Sequence, residues 1–343
     1  MTIRDVAGEA RLSRTTVSMA LRNHPLISQA TREHVKEVAD RMGYRPDPRL
    51  RELGMHLQQC HRSPGRAVLA HIDFRCENKK PSDESTPDQL IEAIRDRAGE
   101  LGYDVDVFFA GRDGMTDRRL SQILRARGIR GVLVGVAQTP GRVLDLRWDF
   151  FAGILLSQSV VAPALDRVAS HHVHNTEMAV QRLMRYGSRR IGFALYERAD
   201  LRTERQSHAG FLLEQTKWPK RDRIPVLTSG SEGFNKTDFM KWINRHQPDT
   251  LLLPSPRNSV LAWLKEERVR VPEDMEVAFL DVPSPDCGLS GVYQNRLHRA
   301  RCAVELLVAK LQAHNVGIPQ WPVTLMCDGL WVDGTTTVDR SGR

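Results

Sequence analysis

Cysteine is scarce in this 343-residue chain: Cys60, Cys76, Cys287, Cys302 and Cys327 stand far apart, with no C-x-x-C spacing. That scatter excludes a spacing-defined zinc ribbon or dithiol redox motif, and an odd, dispersed set fits reduced thiols. Long apolar runs are missing too, and the polar amino terminus holds no secretory apolar core, so a cytoplasmic protein with no membrane partner is expected. Enzyme signatures are equally absent. There is no Gly-x-Ser-x-Gly and no zinc-hydrolase pattern, and Gly111-Arg112-Asp113-Gly114 lacks the spacing of a phosphate loop. Neither catalysis nor a cofactor is expected. His171-His172-Val173-His174 invites a metal, but no cysteine neighbours it in the chain and no metal site is assigned.

What the chain does have is unevenly placed positive charge. Of a net +8, twelve Lys/Arg against seven Asp/Glu fall between Met1 and Arg66, which puts +5 in the first fifth. A basic module on a nearly balanced body is the footprint of a nucleic-acid reader that carries a second function. The length exceeds one average domain, and 41% apolar residues suffice for a substantial core.

The basic module reads as three short helices. Thr2 and Asp5 form a capping-box variant ahead of Ile3, Val6, Ala7 and Ala10, and Arg11-Leu12 turns the corner. Ser13 caps a second helix whose Val17, Ala20 and Leu21 make one apolar stripe, while Arg14, Thr15, Ser18, Met19 and Arg22 project elsewhere. Ser28, with Thr31 close behind, caps a third with Val35, Val38, Ala39 and Met42 inside, and Gly43 ends it. Two helices joined by a tight turn, with a third behind, make a helix-turn-helix.

The run Thr2-Ile3-Arg4-Asp5-Val6-Ala7, then Thr16-Val17-Ser18 with Ala20-Leu21, Ile27-Ser28 with Thr31-Arg32, and Gly43-Tyr44-Arg45-Pro46 resembles the lactose/galactose repressor family of transcription regulators. The resemblance implies a DNA-binding headpiece over 1–45, with Arg14 and Thr15 as base readers. It places Thr2, Ser13, Thr16, Ser18, Arg22, Asn23, Ser28, Thr31 and Tyr44 where polar groups hold phosphates. Met19 departs from the family's usual arginine and offers at most a contact to a thymine methyl. A hinge and linker over 46–65 is implied, with Arg49 beside it and Leu53 at the position of a minor-groove wedge. Leu50 there replaces the family's usual small residue.

From Arg66 the period changes. An apolar run over 67–72, a helix marked by Leu90, Ile94, Ala98 and Leu101, an alternating 103–109, a helix around Leu120 to Leu124 and a strand over 131–136 spell a parallel sheet with helices on both faces. The pattern restarts with a helix over 176–186, a strand at 191–195, a helix over 204–215, then 250–253, 259–267 and 276–280. The fold class expected is therefore an all-α helix-turn-helix headpiece followed by an α/β core of two doubly wound subdomains, similar to the family's periplasmic-binding-protein-like core. By the family's crossovers, subdomain 1 takes about 66–172 plus 295–326, and subdomain 2 about 173–294 plus 327–340.

In the family a cleft between the subdomains holds a sugar. Gln294 matches a cleft residue, Asp281 keeps one of a pair of aspartates with Leu280 in place of the other, and Asp73 ends the first strand. The expected arginine before Gly210-Phe211 is Ser207, leaving Arg205 and His208 as substitutes, and Pro256-Arg257 replaces an Asn-Asp pair. Fewer carboxylates and an added cation suit an anionic metabolite as well as a carbohydrate. The function expected is a sequence-specific regulator, a repressor in sign, that binds a palindromic double-stranded operator as a homodimer and senses a small ligand. The alternative is a regulator with no small-molecule effector, controlled by a partner protein or by abundance. An uptake binding protein is disfavoured by the basic headpiece.

Overall fold

The computed structural model describes residues 2–21, 23, 26–44, 66–74, 89–111, 114–137, 139–230, 233–256 and 259–340. The expectations for Arg22, Arg49, Leu50, Leu53 and Arg257, for the hinge and linker 46–65, and for the middle of the Gly111–Gly114 turn lie outside the described residues.

The headpiece consists of α1 (Ile3–Glu9), α2 (Arg14–Leu21) and α3 (Gln29–Arg41). Its core is Val6, Ala7, Ala10, Val17, Ala20, Val35, Val38 and Ala39, with Ile3, Leu12, Leu21, Ile27, Met42 and Tyr44 packed on it. Small residues dominate this core, so three short helices approach closely. Capping sets the helix starts. The Asp5 carboxylate accepts from the Thr2 backbone N–H at 2.7 Å, Ser13 Oγ from the Thr16 N–H at 3.0 Å, and Ser28 Oγ from the Thr31 N–H at 3.3 Å. Gly43, at φ 67°, supplies the left-handed residue that ends α3.

The core carries two six-stranded sheets. The first contains β1 (Ala67–Asp73), β2 (Tyr103–Phe109), β3 (Gly131–Val134), β5 (Ala152–Leu155), β7 (Asp166–Ser170) and β13 (Thr324–Cys327) in the order β13-β7-β5-β3-β1-β2. β1 pairs in parallel with β2 (Ala67 opposite Tyr103) and with β3 (Leu69 opposite Gly131). Helices α4 (Gln89–Glu100) and α5 (Asp117–Ala126) connect these strands. A short parallel ribbon joins β4 (Arg142–Val143) to β6 (Val160–Ala162).

The second sheet contains β8 (Ile191–Tyr196), β9 (Leu227–Ser229), β10 (Thr250–Leu253), β11 (Glu276–Phe279), β12 (Gly291–Tyr293) and β14 (Leu330–Val332), ordered β14-β12-β11-β10-β8-β9. Only the β12–β14 pair among the registers recorded for it is antiparallel. Around it lie α6 (His172–Arg185), α7 (Glu197–Arg202), α8 (Gln206–Thr216), α9 (Lys236–His246) and α10 (Val260–Glu266), while α11 (Arg296–Gln312) follows β12. Strands such as Thr250–Leu253 and Glu276–Phe279 are buried along their whole length, as doubly covered parallel strands are.

Three helix expectations need correction. The helix expected from Thr176 begins at His172, because the Thr176 hydroxyl donates back to the His172 carbonyl at 2.8 Å inside the helix instead of capping it. The helix expected over 204–215 begins at Gln206, because Glu204 and Arg205 take left-handed φ of 51° and 59° and separate it from α7. Helix α9 was not foreseen, although Asn235 caps it, accepting from the Asp238 N–H at 3.2 Å, and Phe239, Trp242 and Ile243 give it a buried stripe.

The chain divides into two compact units, Met1–Val134 with Asp145–Ile154 and Arg301–Trp321, and Gly135–Leu144 with Leu155–Ala300 and Pro322–Arg343. These differ from the expected subdomains, 66–172 plus 295–326 and 173–294 plus 327–340, which follow sheet membership instead. Strands β7 and β13 group with the second unit through contacts made inside it. Arg167 pairs with Glu204 at 3.0 Å, His171 Nδ1 meets Asp328 Oδ1 at 2.9 Å, and Asn175 Oδ1 accepts from the Gly329 N–H at 2.8 Å.

Candidate functional site

In the headpiece the residue types at the start of α2 follow from its packing. Val17 and Ala20 are fully buried, which leaves Arg14 and Thr15, at its first two positions, exposed. Thr16, Ser18 and Met19 are half-buried at its flanks. Ser13 Oγ and Thr16 Oγ1 lie 2.8 Å apart, and so do Ser28 Oγ and Thr31 Oγ1. In each pair one hydroxyl donates to the other, so one hydroxyl hydrogen per helix start remains, beside the first-turn N–H groups. That combination is suited to phosphate oxygens. Asn23 is exposed in a left-handed turn at φ 56° after α2. Tyr44 packs its ring on the headpiece core, and Thr2 is exposed and engaged with Asp5.

The second unit contains a cavity of about 220 Å³ whose lining residues all belong to that unit. They come from the segments that follow the carboxyl ends of parallel strands, where ligands bind in open α/β sheets. Ser157, Gln158 and Ser159 follow β5; Ser170 and His172 follow or end β7; Asp200, Arg202 and Thr203 follow β8; Asp281 follows β11 and Gln294 β12. Arg299 enters from the first turn of α11. Gly210 lets α8 lie against α6, since a Cβ there would stand 2.9 Å from the Val173 carbonyl oxygen, and this approach carries Ser207 to the wall.

The electrostatics of the cavity are balanced, with Asp200 and Asp281 against Arg202 and Arg299. Burial pulls the Arg299 guanidinium below its ordinary value, opposed by the field of Asp281 and Cys327, and the group donates to Ser170 Oγ. Burial, with the nearby positive charge of Arg299 and Arg202, pushes His172 down to about 3, so its imidazole is neutral at physiological pH. Gln294 Nε2 donates to the Leu280 carbonyl at 2.7 Å, which fixes the orientation of its amide. The arrangement binds by hydrogen bonds and holds no nucleophile paired with a base.

Of the effector residues expected from the sequence, the structure brings Asp281 and Gln294 to the cavity. His208 stands behind the wall, its Nδ1 3.3 Å from Asp200 Oδ2. Arg205 is exposed, its backbone N–H donating to the Asp200 carbonyl at 2.8 Å, and Asp73 is buried at the end of β1 in the first unit. Neither lines the cavity. Sequence reasoning missed Asp200, Arg202, Ser207 and Arg299 as lining residues. The signal available was their position just after β8 or at the start of a helix after β12. His171 stacks on His174 at 5.3 Å between centroids, and among the described residues no group of three or more His, Cys, Asp or Glu is placed to hold a metal. No described helix is long and apolar enough to cross a membrane.

Comparison with known proteins matches residues 2–47 to the bacterial regulatory proteins of the lacI family, and residues 180–330 to the periplasmic binding protein-like domain. Among curated relatives, the HTH-type transcriptional repressor CytR of Escherichia coli (strain K12) is 24% identical over 342 residues, covering 92% of this chain and 91% of the relative. The HTH-type transcriptional repressor PurR of Haemophilus influenzae (strain PittEE) is 23% identical over 335 residues, covering 93% and 94%. Among solved structures, the transcriptional regulator CelR in complex with cellobiose is similar in fold, with a TM-score of 0.59 at 20% identity over 98% of this chain and 99% of that one. The Lac repressor dimer bound to operator and the anti-inducer ONPF matches at TM-score 0.57 and 18% identity, with the same coverage.

Proposed function

The chain belongs to the lacI family of bacterial regulatory proteins and is a DNA-binding transcription regulator, not an enzyme; we propose that it represses by binding a palindromic operator as a homodimer and that a small polar effector in the second-unit cavity modulates this. The observation that carries the operator reading is the start of α2, where Arg14 and Thr15 project from a helix whose opposite face is locked into the headpiece core. A guanidinium there reads guanine O6 and N7 in a major groove, while the capping hydroxyls fix register on phosphates. One headpiece offers few base contacts. Two related by a twofold axis double them and require an inverted repeat.

Selection of duplexes from a randomised pool by the purified full chain tests this reading. An inverted repeat, bound with two protomers per duplex, is the expected result; enrichment of no site, or of a single half-site bound by one protomer, overturns it. The effector reading is supported by a cavity lined with polar groups from several strand ends. It stands against the regulator with no effector, and thermal-shift screening of neutral sugars, sugar phosphates and organic acids separates the two. A ligand that binds only the folded core raises the apparent melting temperature.

A further inference from the structure

Two polar atoms in the cavity wall have no hydrogen-bond partner: Asp200 Oδ1, a bare acceptor, and Gln158 Nε2, a bare donor. Both side chains are buried, Asp200 at 9% and Gln158 at 3% exposure. Buried polar groups are almost always satisfied, because each left unmade carries its whole desolvation penalty. Two on the wall of one cavity mark where a ligand completes the structure. Asp200 is also held in place. His208 Nδ1, on α8, lies 3.3 Å from Oδ2, and the Asp200 carbonyl accepts from the Thr203 and Arg205 N–H groups at 3.2 and 2.8 Å. The imidazole thus orients one carboxylate oxygen and leaves the other facing the cavity.

Charge decides which ligands fit. The two aspartates in the lining balance its two arginines, Arg299 already donates to Ser170 Oγ, and His172 is neutral at physiological pH. The cavity therefore offers an anion no net positive charge, and at the Asp200 wall it offers repulsion. A hydroxyl group can donate to Asp200 Oδ1 or accept from Gln158 Nε2, so a molecule bearing several hydroxyls satisfies both orphans without bringing charge.

We propose that Asp200, oriented by His208, is the specificity determinant of the cavity: its Oδ1 takes an O–H donor of a neutral polyhydroxylated ligand whose oxygen accepts from Gln158, and it keeps phosphate and carboxylate groups from that wall. This rests on the reading of the cavity as the effector site. Asp200 is the selecting residue and His208 a positioning residue.

Thermal-shift titration of the full chain tests the proposal. The probes are inorganic phosphate against sodium chloride of equal ionic strength, and D-ribose and D-glucose against their 5- and 6-phosphates. In the intact protein a neutral sugar raises the melting temperature, and its phosphate does so at least about tenfold more weakly. Asp200→Asn weakens the neutral sugar by about 10- to 100-fold, the worth of a hydrogen bond to a charged group, and binds inorganic phosphate about tenfold or more tighter than the intact protein does. His208→Leu lowers the preference for the neutral sugar, and His208→Gln, whose amide N–H can still donate to Oδ2, restores it. Phosphate stabilising the intact protein as much as Asp200→Asn, or neutral-sugar binding unchanged by Asp200→Asn, overturns the proposal. If no neutral sugar stabilises any of the proteins while Asp200→Asn alone gains phosphate, the effector reading fails and the exclusion of anions by Asp200 stands.

Discussion

The headpiece and the cavity solve recognition in opposite ways. Among its described residues the headpiece builds its interface from a contiguous stretch of fewer than fifty residues, where each exposed group sits a fixed helical offset from a buried one: Arg14 three before Val17, Ser28 a helix cap seven before Val35. The cavity gathers side chains from Val136 to Arg299, and its key carboxylate is set by a residue that does not line it. The first is a surface whose chemistry follows from local spacing, and the second a set of strand ends that only the sheet brings together. Damage should therefore separate the two regions, and the sharpest tests are variants that strike one and spare the other.

The largest effect is expected from Val17→Asp. Val17 is wholly buried between three short helices, and an unpaired carboxylate there costs about 3–5 kcal/mol. Operator binding by fluorescence anisotropy should be abolished, while the thermal shift caused by a core ligand persists; loss of both would mean that headpiece and core fold as one unit. Phe211→Ala is the converse. Phe211 packs on Phe193 at 4.8 Å between centroids and on Trp218 at 5.7 Å. Its removal should destabilise the second unit by about 3–5 kcal/mol, read as a lower melting temperature of the core, with headpiece helicity intact.

Smaller effects discriminate within each region. Arg14→Ala should weaken the selected operator by about 1–3 kcal/mol and relax base preference at one position per half-site, with no change in melting temperature because the side chain is exposed. Met19→Arg should shift preference towards guanine at a different position, and an unchanged profile would mean that α2 docks otherwise. For the cavity, His172 supplies a pH signature. Its folded value lies near 3, below the 6.5 of an unperturbed histidine, so between those limits the unfolded chain takes up a proton that the folded one refuses. Stability should fall as pH drops from 6.5 towards 3, by at most about 1.4 kcal/mol per pH unit from this group. His172→Gln should flatten that slope in urea titrations across the window, and an unaltered slope would place the imidazole in water.

Particular residues show how far the sequence reached. The three headpiece helices were legible, caps included, because Ser13, Ser28 and the Thr2–Asp5 pair act within three or four residues of themselves. Most strands of the two sheets were legible from their apolar runs. The start of α6 was not, since the same Thr176 hydroxyl that suits a cap also bonds back to a carbonyl one turn earlier, and packing of Ala179, Val180 and Leu183 into the core extends the helix past it. In the cavity, Asp281 and Gln294 were found by resemblance, whereas Asp200 gave no sign in a stretch, Glu197 to Arg205, crowded with charge.

The sequence by itself determined the headpiece, its reading face and the two-sheet plan of the core, because capping and hydrophobic period act over a few residues and need no distant partner. Tertiary structure alone decided which polar side chains share the cavity and which of their atoms remain without a partner. Those facts depend on the parallel order of strands far apart in the chain, on the left-handed turn at Glu204 and Arg205, and on the close approach that Gly210 permits. A carboxylate becomes selective only when its other oxygen is held and water is kept away. Here His208 and the surrounding strand ends do both for Asp200.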